Sequence, residues 1–487
     1  MSKDFAETGQ FQSYLSKIGA GLDEFVKFEH EDALALGKTW QESLNEPLPQ
    51  TGVGLEAVSE LLVEQVIANG SAIIRPGFTS FITTGGTTAS AIASAAGSIG
   101  SPQRYTLNAF NFLEELSLDW LSEMCGVAGM KGIYSTGGSV ANLIALGGAR
   151  QWAFEQVGHD VAAEGVDRPV RIYASAECHH TIQRSAGVLG LGRRCVRLIA
   201  CDDQKRMRPE ALAAAIEEDL AANLLPVAIV ANAGSTNTGA IDPIRAIGEI
   251  AVANKIWFHV DGAYGLPGVL DDRIAHLFDG LELADSVIVD PHKWLGACVG
   301  IAATFVRDRK ILHRAFTQEP ADYLEGSVDY QDGANTPTHS MDDFGIPYFD
   351  FGVELSAPSR GVAVWAMLKE IGVDGMRQRI KRHNDMAQRV AARARADDRL
   401  ELVLEPSLSI CCFRYVAPGI DDLNTFNQRI HRRLVRGNTF IPSTTKVGDI
   451  LAIRPCFVGA RSVTGQDDGL VDEVLRLGDQ LLAELGA

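Results

Sequence analysis

The sequence predicts an α/β protein built on a central, mostly parallel sheet flanked by helices. Three observations carry this. Short apolar runs, among them RIYASA from Arg171, PVAIVANAGST from Pro226, IWFHVDGAYG from Ile256 and SVIVDPHKW from Ser286, alternate with helical segments. Several of these runs are continuously apolar and rich in Val and Ile, as strands covered by helices on both faces must be. At 487 residues the chain exceeds what one core supports, so more than one domain is expected.

In chain order, residues 1–88 read as a helical N-terminal arm. DEFVKFEHEDALALGKTW and VGLEAVSELLVEQVIA space their apolar residues by three and four, and the turn-forming LNEPLPQTG divides them. The apolar faces of 55–68 would be buried on a second subunit. From Arg75, RPGFTSFITTGGTTASAIASAAGS is rich in Gly, Ser, Thr and Ala, which suits close backbone approach or a ligand contact. Residues 89–362 hold the alternation of strands and helices, from GIYS at Gly132 to IAATFVRD at Ile301, and form the large domain. Within it the aperiodic stretch 317–350 carries many Asp, Gly and Pro; a connection of this kind is functional or disordered, and a mobile lid is the functional version. Residues 363–487 begin with a long helical pattern, continue through LELVLEPSLSICCFRYV and DILAIRPCFV, and close on a helix, giving a small α+β domain.

Composition removes several function classes. With 46% hydrophobic and 22% charged residues and a net charge of -18, the chain is an ordinary acidic globular protein, ill suited to nucleic acid or an anionic membrane surface. The basic clusters RQRIKRH from Arg377 and IHRRLVR from Ile430 read as solvated helix faces. MSKDFAETGQ lacks the features of a signal peptide and no stretch has the length and apolarity of a membrane span, so a cytoplasmic protein is expected. Eight cysteines without a C-x-x-C pair suggest reduced, structural thiols and no metal site.

Ligands of such sheets sit beyond the carboxyl ends of the strands, so polar residues there carry the chemistry. Lys293 ends an apolar run; it either snorkels to solvent or is a reactive amine. In YSTGGSVANL from Tyr134, Gly137, Gly138 and Ser139 at a helix start make either a tight turn or a phosphate cradle. His179 and His180 follow RIYASA, and an imidazole there is structural, solvent-facing or stacked on an aromatic ligand. Asp261 is either a turn or N-cap acid or a carboxylate that keeps a ring nitrogen protonated, with small Gly262 and Ala263 letting a flat ring approach. Lys293 follows it by one strand-helix-strand unit. A cradle, a stacking imidazole, a ring-nitrogen acid and a Schiff-base lysine together describe a pyridoxal 5'-phosphate site.

HVDGAY from His259, DPHKW from Asp290 and STGGSVANL from Ser135 resemble the group II pyridoxal-phosphate decarboxylases, the family of aromatic L-amino-acid and glutamate decarboxylases. The resemblance runs over nearly the whole chain and implies a fold-type I enzyme, homodimeric, with active sites at the subunit interface. It implies that Lys293 holds the cofactor, Asp261 pairs with the pyridinium nitrogen, Ala263 lies under the ring and His179 over it. Gly137, Gly138, Ser139 and His292 would hold the phosphate, with Thr236 near the ring substituents. Tyr323, in PADYL, matches a loop tyrosine that protonates the substrate carbon after CO2 leaves. Phe81 and Thr84 in FTSFITT, and Phe110 and Phe112 in NAFNF, would contact substrate, the latter pair from the neighbouring subunit; the phenylalanines suit an aromatic side chain. The expected reaction converts an L-amino acid to its amine and CO2. The alternative is an aldehyde-forming relative or another carbon–carbon lyase, against which the presence of Tyr323 counts. Departures at Arg75-Pro76, at Gly262 and in SAPSRG from Ser356 bear on substrate identity. Arg454 is either a carboxylate contact or part of a structural salt bridge.

Overall fold

A computed structural model describes residues 11–28, 39–104, 108–317 and 345–486. Among these the strands, in chain order, are β1 (Phe78–Thr79), β2 (Lys131–Ser135), β3 (Val170–Ser175), β4 (Val196–Ile199), β5 (Leu225–Asn232), β6 (Trp257–Asp261), β7 (Ser286–Val289), β8 (Ala302–Val306), β9 (Leu400–Leu404), β10 (Cys412–Tyr415), β11 (Ile441–Val447) and β12 (Ile450–Arg454). Seven of them form the central sheet in the order β2-β8-β7-β6-β5-β3-β4. The pairings β4–β3, β3–β5, β5–β6 and β6–β7 are parallel. β8 alone runs against its neighbours β7 and β2. Every residue of β6, β7 and β8 is buried, which accounts for their unbroken apolar runs.

The helix Gly138–Glu155 crosses the sheet and is buried on most of its surface. Its small residues make that possible: Ala141 and Ala145 pack in one cluster with Ala263, Ile288 and Ala302. This close seat sets the helix N-terminus over the carboxyl ends of β6 and β7.

The second sheet runs β1-β11-β12-β10-β9 and has its own core, including Phe413, Tyr415, Phe426, Ile430 and Leu481. β1 lies within the expected N-terminal arm yet pairs parallel with β11, Phe78 opposite Ile441. The same segment is fastened to the C-terminal part by Arg75 Nη2 donating to Asn438 Oδ1 (2.8 Å) and Ser80 Oγ to the Ile441 carbonyl (2.7 Å). The long helix Gly361–Ala396 joins the two cores and is kinked at Gly372, whose φ of 64° and ψ of 178° only glycine adopts without strain. The helix Phe11–Phe25 has no buried residue, and Leu55, Val58, Leu62 and Val66 on the following segment are exposed. No helix among the described residues is long and apolar enough to cross a membrane.

Candidate active site

β5, β6, β7 and the start of helix Gly138–Glu155 converge on a cavity of about 350 Å³. Gly137, Gly138, Ser139, His179, Thr236, Asp261, Ala263, His292 and Lys293 all line it. Asn142, Asn232, Tyr264 and Asp290 line it too, and the sequence reading assigned none of these four a role.

Lys293 sits in the turn Pro291–Leu295 that follows β7. Neighbouring Trp294 is fully buried, stacks on Tyr264 with ring centroids 5.2 Å apart and donates its indole N–H to His383 Nδ1 at 2.9 Å, which holds the turn in place. The lysine does not reach for solvent. Its Nζ lies 2.9 Å from Asp290 Oδ2, on a side chain that is fully buried. Burial alone would lower the pKa of the Lys293 amine, but the charge and hydrogen bond of Asp290, helped by Asp261, outweigh it and hold the amine above the ordinary lysine value. Asp290 Oδ2 also accepts from the Gly138 N–H at 3.2 Å, so the acid bridges the lysine and the helix start. A Cβ at Gly138 would stand 2.7 Å from that oxygen; the backbone approaches this closely because the residue is glycine.

Asp261 closes β6 at the other side. Its Oδ1 accepts from the Ala263 N–H at 3.2 Å, the turn contact expected of an aspartate here, and its Oδ2 accepts from Asn142 Nδ2 at 3.1 Å. His179 Nδ1 is 2.8 Å from Thr181 Oγ1, and its ring lies 4.1 Å from that of His180. Burial, with the nearby His180 and Lys293 charges adding to it against Asp261 and Asp290, lowers the His179 pKa, so this imidazole is neutral at pH 7. His292 Nδ1 faces the Ile301 carbonyl, an acceptor, and therefore carries the proton; Nε2 remains, 3.9 Å from Asp290 Oδ2.

The donor set fits pyridoxal phosphate. Amide N–H groups at the start of an 18-residue helix and the Ser139 hydroxyl suit a phosphate. A carboxylate already held by two donors suits a cationic ring nitrogen, and Ala263 leaves room for a flat ring. Asp290 Oδ1, buried behind this wall, has no hydrogen-bond partner among the described residues.

Other expected residues lie elsewhere. Thr84 is buried with its hydroxyl accepting from the Ala460 N–H at 2.8 Å, so it serves the junction with the C-terminal part rather than the cavity wall. Phe81 and Phe112 are each 62% exposed, and Phe110 packs on Gly100; none lines the cavity within this chain. Arg454 makes no salt bridge among the described residues; it donates to the carbonyls of Asn237 at 2.9 Å and Ser80 at 3.1 Å, and to that of Thr236. Tyr323 falls outside the described residues.

Residues 55–416 match the pyridoxal-dependent decarboxylase conserved domain. An aromatic-L-amino-acid decarboxylase of Bacillus atrophaeus is 29% identical over 356 residues, 72% of this chain and 70% of the relative. A 4-hydroxyphenylacetaldehyde synthase of Rhodiola rosea is 28% identical over 378 residues, 75% of this chain and 72% of the relative. In fold, a crystal structure described as Oryza sativa TDC with PLP and tryptamine superposes with a TM-score of 0.86 at 22% identity, covering 98% of this chain and 99% of the other.

Proposed function

This chain belongs to the pyridoxal-dependent decarboxylase family, with pyridoxal 5'-phosphate as its cofactor, and within that family we propose that it converts an L-amino acid, aromatic in preference to acidic, to the corresponding amine and CO2. The observation that carries the proposal is the convergence of Lys293, Asp261, His179 and the Gly138–Ser139 helix start on one cavity. When bound, the cofactor supplies an electron sink for the charge left on the α-carbon as CO2 departs. The protein's part is to hold that sink and to manage protons.

In this reading the helix start at Gly138 and Ser139, with the Ser139 hydroxyl as a donor and His292 beside it, would bind the phosphate, while the Gly138 N–H is held by Asp290. Asp261, already accepting two hydrogen bonds, would hold a proton at the ring nitrogen. Neutral His179 and the small Ala263 cover the two ring faces and exclude water. Lys293 Nζ is the attachment point, with Asp290 as the nearest group to take or return its proton. Tyr323 delivers a proton to the former α-carbon.

Phe81, Phe112, Ile92, Ile99 and Val299 are exposed apolar side chains, which supports a homodimer that covers them and lends Phe110 and Phe112 to the partner's site. Those phenylalanines favour an aromatic substrate. The test is to offer a panel of L-amino acids to the cofactor-loaded protein and follow CO2, amine, ammonia and peroxide together. CO2 and amine in equal amounts from aromatic substrates is the expected result. Ammonia and peroxide with CO2 would place the chain with the aldehyde synthases, and turnover of acidic amino acids alone would overturn the aromatic preference.

A further inference from the structure

At and behind the cavity wall, five side chains that no family motif assigns a step are joined by hydrogen bonds, and the chemistry of the group at one end sets the direction along the main chain of contacts. Trp257 Nε1 can only donate, and it faces Ser286 Oγ at 2.8 Å. Ser286 Oγ is 2.9 Å from His259 Nδ1, and His259 Nε2 is 2.9 Å from Asn142 Oδ1. Asn142 turns its amide nitrogen to Asp261 Oδ2 at 3.1 Å and to Thr181 Oγ1 at 3.3 Å. At the far end, the Asp261 carboxylate can only accept. That demands the amide nitrogen of Asn142, which leaves Asn142 Oδ1 needing an N–H from His259 Nε2. A neutral His259 then has a bare Nδ1, and Ser286, whose oxygen accepts from Trp257, has its own proton free to fill it. The Asp261 end imposes this orientation, and the Trp257 end is compatible with it.

The branch through Thr181 continues the logic. Its oxygen accepts from Asn142 and lies 2.8 Å from His179 Nδ1, which ties His179 to the same chain of contacts. All of Trp257, Ser286, His259, Asn142 and Thr181 are buried, with His259 at 0% and Asn142 at 1% exposure, so these bonds lie away from bulk water.

We propose that Asn142 and His259 are positioning residues: a one-way relay from Trp257 through Ser286, His259 and Asn142 holds Asp261 as a fixed acceptor, and Thr181 links His179 to the same Asn142 amide. It deepens the reading of Asp261 as the ring-nitrogen acid and rests on that reading. A carboxylate that loses its donor becomes more basic, so cutting the relay moves the shared proton from the ring nitrogen toward Asp261.

The experiment uses holoenzyme loaded with pyridoxal phosphate labelled with ¹⁵N in the ring, reading the ring-nitrogen chemical shift as a function of pH beside kcat and KM. The parent is expected to show a protonated ring nitrogen. Asn142→Leu and His259→Leu are expected to shift the signal toward neutral pyridine and to lower kcat by about tenfold or more, the scale of one buried hydrogen bond, with KM little changed. His259→Gln, whose amide N–H can reach Asn142 Oδ1, is expected to restore most of the signal. If the leucine variants do not fold, Ser286→Ala, which deletes one atom and frees the His259 tautomer, is expected to give a smaller shift in the same direction. A parent-like ring signal in Asn142→Leu, or in Ser286→Ala where only that variant folds, overturns the relay. Asp261→Ala is the control: if it too leaves the signal unchanged, it is the ring-nitrogen assignment that fails.

Discussion

Replacing His259 by glutamine should change how stability depends on pH, in a direction and amount that the burial of the imidazole sets. The ring is fully buried and burial pushes its pKa down to about 4, with the Asp261 charge opposing. A second proton would have to enter at Nδ1, the atom that accepts from Ser286. In the unfolded chain the same group titrates near 6.5. Between those values the unfolded chain binds more protons than the folded one, so the contribution is present above about pH 6.5 and is lost as pH falls toward 4. At about 1.36 kcal/mol per pH unit the loss reaches roughly 3 kcal/mol. A glutamine side chain has no such group. It keeps a donor for Asn142 but gives up the Ser286 contact, so the variant is expected to be about 1 kcal/mol less stable at pH 7. The deficit should shrink on acidification and reverse between about pH 5 and 6, where the loss in the parent passes 1 kcal/mol. The assay is urea unfolding of both proteins in one buffer series, compared as a difference at each pH. Taking the difference matters because Asp242, pushed up to about 7 by burial, acts in the opposite direction over the same window. A separation that stays constant from pH 7 to about pH 4.5 would refute the claim that His259 is buried neutral.

Asp242 gives the mirror-image prediction. Its two oxygens accept from the N–H groups of Met207 at 2.6 Å and Asn232 at 2.7 Å, so Asp242→Asn turns an NH2 against one of them and should cost about 1–3 kcal/mol. Here the folded pKa is raised, so the parent's advantage is full at low pH and fades as pH rises toward 7; an Asp242→Asn deficit that grew with pH in urea unfolding would contradict this. Gly138→Ala places a methyl 2.7 Å from Asp290 Oδ2, an atom pinned by Lys293 and by the Gly138 N–H itself. Overpacking of this kind costs about 1–3 kcal/mol, and because it distorts the helix start, cofactor affinity should fall about tenfold or more in a fluorescence titration; unchanged affinity would remove Gly138 from the phosphate cradle.

Much of this site was legible because its signals are local. HVDGAY and DPHKW carry Asp261, Ala263, His292 and Lys293 at strand ends that continuous apolar runs announce, and STGGSVANL carries the helix start. What escaped depends on distant partners. Asn142 reads as a polar residue in the first turns of a small-residue helix; only folding brings it to His259 and Asp261. Asp290 stands inside the DPHKW motif, yet its bond to Gly138 joins residues on two different elements. The reversed direction of β8 is invisible in IAATFVRD, because a strand covered on both faces is apolar whichever way it runs. Two residues of β1 pair with a strand hundreds of positions away, and no local pattern marks so short an element. The kink at Gly372 hides inside an uninterrupted helical periodicity. The bond from the Ala460 N–H to the Thr84 hydroxyl likewise joins residues far apart in the chain.

The most direct measurement is borohydride reduction of the pyridoxal-phosphate-loaded protein, followed by proteolysis and mass spectrometry to locate the fixed cofactor. A phosphopyridoxyl group on Lys293, and none in a Lys293→Ala preparation treated alike, is the expected result. The same adduct on another lysine, or no adduct in a protein that binds the cofactor, would contradict the assignment of this cavity as the place where the reaction occurs.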